Sequence, residues 1–214
     1  MESMSKTLRV KVGDWFSRID TKTIHGRSLS VPNAAAPLLH LQFLRFAGSS
    51  VCNLHLRHFV RRDPELRSAG ITEVVIFHSR KEELLPYQGS FPFAVVADPE
   101  RRFYDQYGVG SSVAALFDPR AWPALFQASF SQDKPKGNLV PNGGIWGLPA
   151  EFLIAESGIV KAAHYGKHVD DRWSVDEVLS LARSYRKIRL TYDVSTQQRN
   201  RNQNGRNNLS TSDQ

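Results

Sequence analysis

Sulfur is scarce in this chain, whose 214 residues include two methionines and one cysteine, Cys52. A single cysteine excludes an internal disulfide, so any disulfide chemistry needs a thiol from a second molecule. The sequence also has no apolar run long enough to span a membrane, and residues 1–7 lack the apolar core of a signal peptide. We therefore expect a cytoplasmic protein, in a compartment that keeps thiols reduced.

The charge balance is basic, with 28 lysines and arginines against 21 aspartates and glutamates and a formal net charge of +7. This excess permits contact with acidic surfaces but does not by itself indicate a nucleic-acid partner. Arg199, Arg201 and Arg206 alternate with Asn and Gln and lack the aromatic residues of a nucleic-acid platform. We expect neither a nucleic-acid nor a membrane partner, and binding to an acidic surface is an alternative that rests on charge alone.

Residues 43–57 predict an apolar strand, a small-residue turn and a helix whose first turn carries Cys52. Backbone amides and the helix dipole favour negative charge at a helix N-terminus, so a thiolate is most easily stabilised there. Ser49 and Ser50 can cap the helix, and their hydroxyl groups can donate hydrogen bonds to the sulfur. This placement indicates a reactive thiol.

Cationic neighbours support the same interpretation. Arg45 and His55 lie close to Cys52 in the sequence, and electropositive surroundings lower the pKa of a thiol. The alternative is that Cys52 is a small buried hydrophobic residue without chemistry, which is the commoner role of a lone cysteine. His55 also has a simpler alternative, an ordinary place in the core or on the surface.

Strands and helices alternate along most of the chain. The apolar segments 38–46, 72–78 and 93–97 predict buried strands, each followed by a helical segment. Residues 147–165 predict a β-hairpin, and the capping box at 174–177 begins a last helix. This alternation indicates an α/β fold with helices on both faces of a central sheet.

We divide the chain into a flexible N-terminus at 1–7, one globular domain at 8–190 and a disordered polar tail at 191–214. Within the domain, residues 111–146 form a long insertion. Its aromatic residues fall at helical spacing, which favours a packed helix or a subunit contact over a lid.

The seven histidines raise the question of a metal site. His164 and His168 have the spacing of two ligands on one helix face. This stretch, however, predicts a strand followed by a loop, and no cluster of other ligand residues accompanies it. We therefore expect neither a bound metal nor another cofactor.

Taken in order, these motifs resemble the peroxiredoxin family, also called the alkyl hydroperoxide reductase/thiol-specific antioxidant family, of the thioredoxin-like superfamily. The resemblance runs from about Val10 to Arg189, and its parts are the segments 12–14, 49–52, 97–99, 107–109, 147–149, 154–158 and 172–177. It implies a thioredoxin-like fold with a central mixed β-sheet, flanking helices and a long insertion before a strand that begins at a cis-proline. That proline is Pro149, which is expected to shape the pocket at the cysteine turn.

The family's site motif is Pro-x-x-x-Thr/Ser-x-x-Cys, and Ser49 and Cys52 match its last two members. Arg45 stands in place of the proline. The resemblance implies that Cys52 is the peroxidatic cysteine and that Ser49 hydrogen-bonds its sulfur or the peroxide. The family arginine on the returning strand of the late hairpin has its nearest equivalent in Lys161, which carries a point charge instead of a fork of donors.

The function that the resemblance implies is a one-cysteine thiol peroxidase, an antioxidant oxidoreductase. The Cys52 thiolate would reduce a peroxide and become a sulfenic acid. An external thiol, glutathione or a thioredoxin-like protein, would regenerate it because the chain has no resolving cysteine. The alternative is a thioredoxin-like module that has lost catalysis and binds a partner or ligand, which the missing motif proline and arginine favour. The oligomeric state is left open, with a homodimer among the alternatives.

Overall fold

The computed structural model describes residues 9–33, 36–110 and 147–189. The predicted flexible N-terminus, the predicted insertion at 111–146 and the predicted polar tail at 191–214 lie outside the described residues. No helix within the described ranges is both long and apolar enough to cross a membrane.

Strands and helices follow the predicted order in the part of the chain that the structure describes. The strands are β1 (Ile19–Lys22), β2 (Ser28–Val31), β3 (Leu38–Leu44), β4 (Ile71–Phe77), β5 (Ala94–Ala97), β6 (Ala150–Ala155) and β7 (Val160–Tyr165). The helices are α1 (Ser50–Arg61), α2 (Asp63–Ser68), α3 (Lys81–Gln88), α4 (Arg102–Gln106) and α5 (175–189).

Five strands form a mixed sheet in the order β5-β4-β3-β6-β7. β3 lies at its centre, parallel to β4 and antiparallel to β6. β5 extends the parallel half and β7 the antiparallel half. Parallel neighbours need a crossover connection, which α1 and α2 provide between β3 and β4. The predicted mixed sheet is therefore confirmed, and β1 and β2 form a separate antiparallel pair.

The two faces of the sheet differ because successive side chains of a strand point to opposite sides. On one face, Phe43 of β3 belongs to a large aromatic and aliphatic cluster. On the other face, Leu38 packs with Phe59 of α1 and with apolar residues of α5. Strand alternation places His40 and Gln42 on this second face, where both are fully buried. The central strand is thus buried throughout, as predicted, but it carries two polar side chains into the interior.

The carboxyl ends of β3 and β4 are held together just before α1 begins. The hydroxyl group of Tyr104 lies within hydrogen-bonding distance of the carbonyl oxygen of Leu44 and 3.0 Å from that of Ile76. The backbone nitrogen of His78 donates to the carbonyl oxygen of Arg45 at 2.8 Å. α1 therefore starts from a fixed point at the end of the central strand.

The predicted cis peptide bond at Pro149 is wrong. Among the described residues the cis bond is Val31–Pro32, so Leu148–Pro149 is trans, the form that X-Pro bonds favour by about 0.5–1 kcal/mol. Pro149 is buried, and its carbonyl oxygen accepts a hydrogen bond from the Gly166 nitrogen at 2.9 Å. Its neighbour Leu148 is fixed by its own backbone hydrogen bond, donated to a carbonyl oxygen at the end of the preceding described segment.

Candidate active site around Cys52

Cys52 lies in the first turn of α1, as predicted. Ser49 is the N-cap residue: its backbone is extended (φ −67°, ψ 108°), and its Oγ accepts a hydrogen bond from the Cys52 backbone nitrogen at 3.4 Å. Nη2 of Arg45 donates to the same Oγ at 2.9 Å. Ser50 follows as the half-buried first residue of the helix. The predicted cap is therefore Ser49 and not Ser50.

The Ser49 hydroxyl group has one proton left to donate. A hydroxyl group offers two acceptor positions and one donor. Both acceptor positions are occupied, one by Nη2 of Arg45 and one by the backbone nitrogen of Cys52. This proton is available to the neighbouring Cys52 sulfur, and Ser49 is among the groups that lower the pKa of the Cys52 thiol. A hydrogen bond donated to the sulfur favours the thiolate over the thiol.

The Cys52 side chain is only 1% exposed and packs in an apolar cluster with residues of α1, β3 and β4. Burial alone raises the pKa of this thiol, because a charge is costly in apolar surroundings. The positive charges of Arg172 and Arg45 outweigh burial, together with hydrogen bonds from Ser49 and from the Arg45 backbone. The pKa of the Cys52 thiol is therefore lowered. The sulfur is enclosed and at the same time biased towards the anion.

Arg172 supplies the larger of the two cationic effects on the thiol, from the loop before α5. Its side chain is 1% exposed. Nη2 donates to the carbonyl oxygen of Val51 at 3.2 Å and to Oδ1 of Asp170 at 2.7 Å. Nε and Nη1 are buried and have no hydrogen-bond partner among the described residues. Two such donors beside a thiolate can stabilise an anionic oxygen that develops there.

Lys161 does not take the position predicted for it. In β7 it is Tyr165 that lies opposite Ala150, at the end of the sheet where α1 begins. Lys161 lies near the other end of β7, at a register shift, and its Nζ is 5.0 Å from the ring centroid of Tyr185. The cation beside the thiol is instead Arg172. In the sequence, Arg172 stands just before the capping box at 174–177. That segment predicts the start of a helix and gives no indication of a cation beside the thiol.

His55 directs its hydrogen bond to Gln42 and not to the thiol, with 2.9 Å between its Nε2 and the Gln42 Oε1. Burial lowers the pKa of His55 well below its ordinary value, and the charges of Arg172, His40 and His58 lower it further. The imidazole ring is therefore neutral near neutral pH. His55 acts as a neutral polar neighbour of the site and does not supply it with a positive charge.

The structure gives the two histidines with ligand-like spacing other partners. Nε2 of His164 lies 2.9 Å from Oδ1 of Asp171, and Nδ1 of His168 accepts from the Asp170 backbone nitrogen at 3.4 Å. Within the described ranges, no group of three or more His, Cys, Asp or Glu side chains is arranged to hold a metal ion.

The family model described as "AhpC/TSA antioxidant enzyme" matches residues 58–168, just over half of the chain. The chain belongs to the AhpC/TSA antioxidant enzyme family. The AhpC/TSA match begins within α1, beyond Cys52. It therefore identifies the scaffold that carries the thiol, while the thiol itself lies just outside the matched residues. Comparison with curated proteins gives no match.

Solved structures share the fold of this AhpC/TSA protein. The peroxidoxin BcpB of Mycobacterium tuberculosis matches with a TM-score of 0.59 at 15% identity, over 82% of this chain and 98% of its own. The reduced 2-Cys peroxiredoxin of Plasmodium vivax matches with a TM-score of 0.60 at 13% identity, over 84% and 99%. A protein assigned as the thiol:disulfide interchange protein DsbE in Chlorobium tepidum gives 0.53 at 15% identity, over 81% and 99%. At these identities the similarities show the fold alone, and the predicted thioredoxin-like α/β fold is confirmed.

Proposed function

We propose that this AhpC/TSA protein is a one-cysteine thiol peroxidase whose nucleophile is Cys52. The observation that carries the proposal is the pairing of this thiol with two buried guanidinium groups, those of Arg45 and Arg172, at the start of α1. The thiolate is the nucleophilic form of cysteine, and cations are what stabilise it in an enclosed place. A cysteine that only fills space in a core needs no such neighbours. The arrangement therefore supports a reaction at the sulfur.

The proposed reaction begins when the Cys52 thiolate attacks one oxygen of a peroxide. An S–O bond forms as the O–O bond breaks, so the sulfur is oxidised to a sulfenic acid and the peroxide is reduced. The departing oxygen carries the electron pair of the broken bond and leaves as water or an alcohol after taking a proton. Nε and Nη1 of Arg172 are the donors that would stabilise its developing charge. Ser49 would hold the sulfur through its hydroxyl proton.

Reduction of the sulfenic acid requires an external thiol because Cys52 is the only cysteine. One thiol would displace water from the sulfenic acid and form a mixed disulfide, and a second would release the Cys52 thiolate and leave as a disulfide. Glutathione or a thioredoxin-like protein are the proposed reductants, and the reducing cytoplasm is the proposed location. Dimerisation stays a prediction, as does a role of Pro149 in shaping the pocket.

The proposed reaction can be tested by trapping its intermediate. Reduced full-length protein is treated with one equivalent of hydrogen peroxide in the presence of a cyclic 1,3-diketone that captures sulfenic acids. We expect the diketone adduct on the Cys52 peptide by mass spectrometry, and without the trap a single added oxygen that an excess of thiol removes. Protein alkylated at Cys52 beforehand is the control. Absence of the adduct while the thiol remains alkylatable would contradict the proposal.

A second candidate function is a thioredoxin-like module that binds a partner without catalysis. Two observations favour it: the Cys52 side chain is 1% exposed, and the AhpC/TSA match begins beyond it. This candidate predicts an ordinary thiol pKa and no reaction with peroxide. The trapping experiment therefore separates the two functions, because only the peroxidase forms a sulfenic acid at equimolar peroxide.

A further inference from the structure

A row of buried polar side chains crosses the face of the sheet against which α1 and α5 pack. The residues stand on neighbouring strands, since His40 is opposite Glu73, Gln42 is opposite Glu151, and Glu151 is opposite His164. His40, Gln42 and Glu151 are 0% exposed and Glu73 is 2% exposed. Polar groups buried to this extent are costly unless they are bonded to one another. Apolar packing therefore does not account for the burial of these polar side chains.

One end of the row is fully bonded. Nδ1 of His40 lies 2.8 Å from Oε1 of Glu73. The side-chain amide of Gln42 donates to the same carboxylate at 2.7 Å, and its Oε1 lies 2.9 Å from Nε2 of His55. These contacts fix the orientation of both histidine rings. They also leave Nε2 of His40 pointing onward, buried and with no hydrogen-bond partner among the residues described.

Glu151, on the other side of the central strand β3, is only half bonded. Its Oε2 accepts a hydrogen bond from the Trp173 backbone nitrogen at 2.5 Å. Its Oε1 is buried without a hydrogen-bond partner in the described part of the chain, 3.9 Å from Nε2 of His40 and 3.9 Å from Nε2 of His55. Burial raises the pKa of Glu151 to about 7, although His40 and Arg172 oppose that effect. This carboxyl group therefore changes charge near neutral pH.

Glu151 is connected to the thiol through the segment that it holds. Trp173, whose nitrogen it binds, directly follows Arg172. The Glu151 charge also interacts with the Arg172 guanidinium, and the same guanidinium lowers the pKa of Cys52. The Glu151 carboxylate and the Cys52 thiolate thus both interact electrostatically with the Arg172 guanidinium. Ionisation of either one opposes ionisation of the other.

We infer that Glu151 is a positioning residue for Arg172, and that the protonation of Glu151 inside the buried polar row controls how strongly Arg172 stabilises the Cys52 thiolate. This inference rests on the proposed role of Arg172 at the thiol. In both states of Glu151, Arg172 keeps its ion pair with Asp170. With Glu151 protonated, Trp173 remains held and Arg172 stabilises the Cys52 thiolate more strongly. With Glu151 ionised, Arg172 also interacts with the Glu151 carboxylate and stabilises the thiolate less.

The charged and titratable groups around Glu151 come from every element packed on it. They are His40 of β3, His55 of α1, His164 of β7 and Arg172 of the loop before α5. Two of them, His40 and Arg172, favour the ionised carboxyl group most strongly, and burial opposes them. Because burial outweighs them and raises the pKa of Glu151 to about 7, a shift of pH across neutrality changes the charge of this carboxyl group.

The test measures the rate of Cys52 alkylation by iodoacetamide as a function of pH in the full chain, because this reaction reports the thiolate without requiring a peroxidase. Glu151→Gln keeps an oxygen acceptor for the Trp173 nitrogen but cannot ionise. We expect it to raise the alkylation rate about three- to tenfold near pH 7 and to remove the inflection that Glu151 produces there. Glu151→Ala removes the acceptor as well, and we expect it to lower the rate below that of the unmodified chain.

Glu156→Gln is the matched control, because this glutamate follows β6 and is exposed in a surface ion pair with Arg189. It should leave the alkylation profile unchanged. Opposite changes for the two Glu151 variants support the inference. Changes of the same sign, or no change in either, would overturn it. Failure of the peroxidase proposal would look different, since the alkylation profile would still respond while peroxide formed no sulfenic acid.

Discussion

Replacing Cys52 with serine is expected to abolish peroxide reduction, with a loss on the order of 10³-fold or more, as for other catalytic nucleophiles. The reason is chemical: the serine hydroxyl group has no accessible anion near neutral pH and cannot be oxidised by a peroxide. The measurement is hydrogen peroxide consumption in the presence of an excess of a small dithiol. Circular dichroism of the variant checks that the fold is retained.

The chain has no second cysteine that could be replaced as a control, so the control is chemical. The chain without any substitution, once alkylated at Cys52, should be as inactive as Cys52→Ser, because in both the thiol is unable to react. Equal peroxide consumption by the serine variant and the unmodified chain would show that the activity comes from elsewhere, and the proposed reaction would then be wrong.

Arg172→Met is expected to have the second largest effect. A cation close to an anion lowers the pKa of that group by about one to three pH units, so its removal should raise the pKa of the Cys52 thiol by a similar amount. The rate of reaction with peroxide near pH 7 should fall about 10- to 10³-fold, because less thiolate is present and the two unpaired donors are lost. The thiol pKa is measured by alkylation and the rate by stopped-flow kinetics.

Arg172→Lys separates charge from geometry. Lysine keeps the positive charge but not the planar fork of donors, so the thiol pKa should stay low while the reaction with peroxide still slows. Arg18→Met is the control, since Arg18 is exposed, lies just before β1 in an ion pair with Asp20 and should change neither quantity. A normal thiol pKa in Arg172→Met would mean that Arg172 does not act on the sulfur.

The sheet and the position of the thiol were predictable because they depend on local patterns. The apolar run at 38–46 corresponds to β3 at Leu38–Leu44, and the segment at 72–78 corresponds to β4 at Ile71–Phe77. The capping box that begins α5 is also present, with the Ser174 nitrogen donating to the Glu177 carboxylate at 2.7 Å. Apolar runs and caps are properties of neighbouring residues, so the sequence displays them directly.

The partners of the thiol were less predictable because they come from distant parts of the chain. Arg172 reaches Cys52 only because its loop packs on the start of α1, where its Nη2 contacts the Val51 carbonyl oxygen. The sequence favours Lys161 because of its position on the returning strand, but Lys161 lies towards the end of β7 away from the site, and a register shift there leaves it without a paired residue on β6. A bulge of this kind changes which residues face each other without leaving a clear mark in the sequence.

The buried polar row was also beyond sequence analysis. His40 and Gln42 lie inside a run that correctly predicts a buried strand. A polar residue in such a run gives no indication of which side chain it contacts in the fold. Glu73 and Glu151 come from two other strands, and only the register of the sheet places them beside β3. Cross-strand contacts of this kind follow from topology, which the local pattern does not determine.

The proposed reaction requires that the pKa of the Cys52 thiol is lowered although its side chain is enclosed. Ultraviolet titration of the thiolate in the unmodified chain tests it most directly, because the only cysteine gives the whole signal. We expect a midpoint clearly below the pKa of a free cysteine, which is about 8.5. A midpoint at or above that value would contradict it.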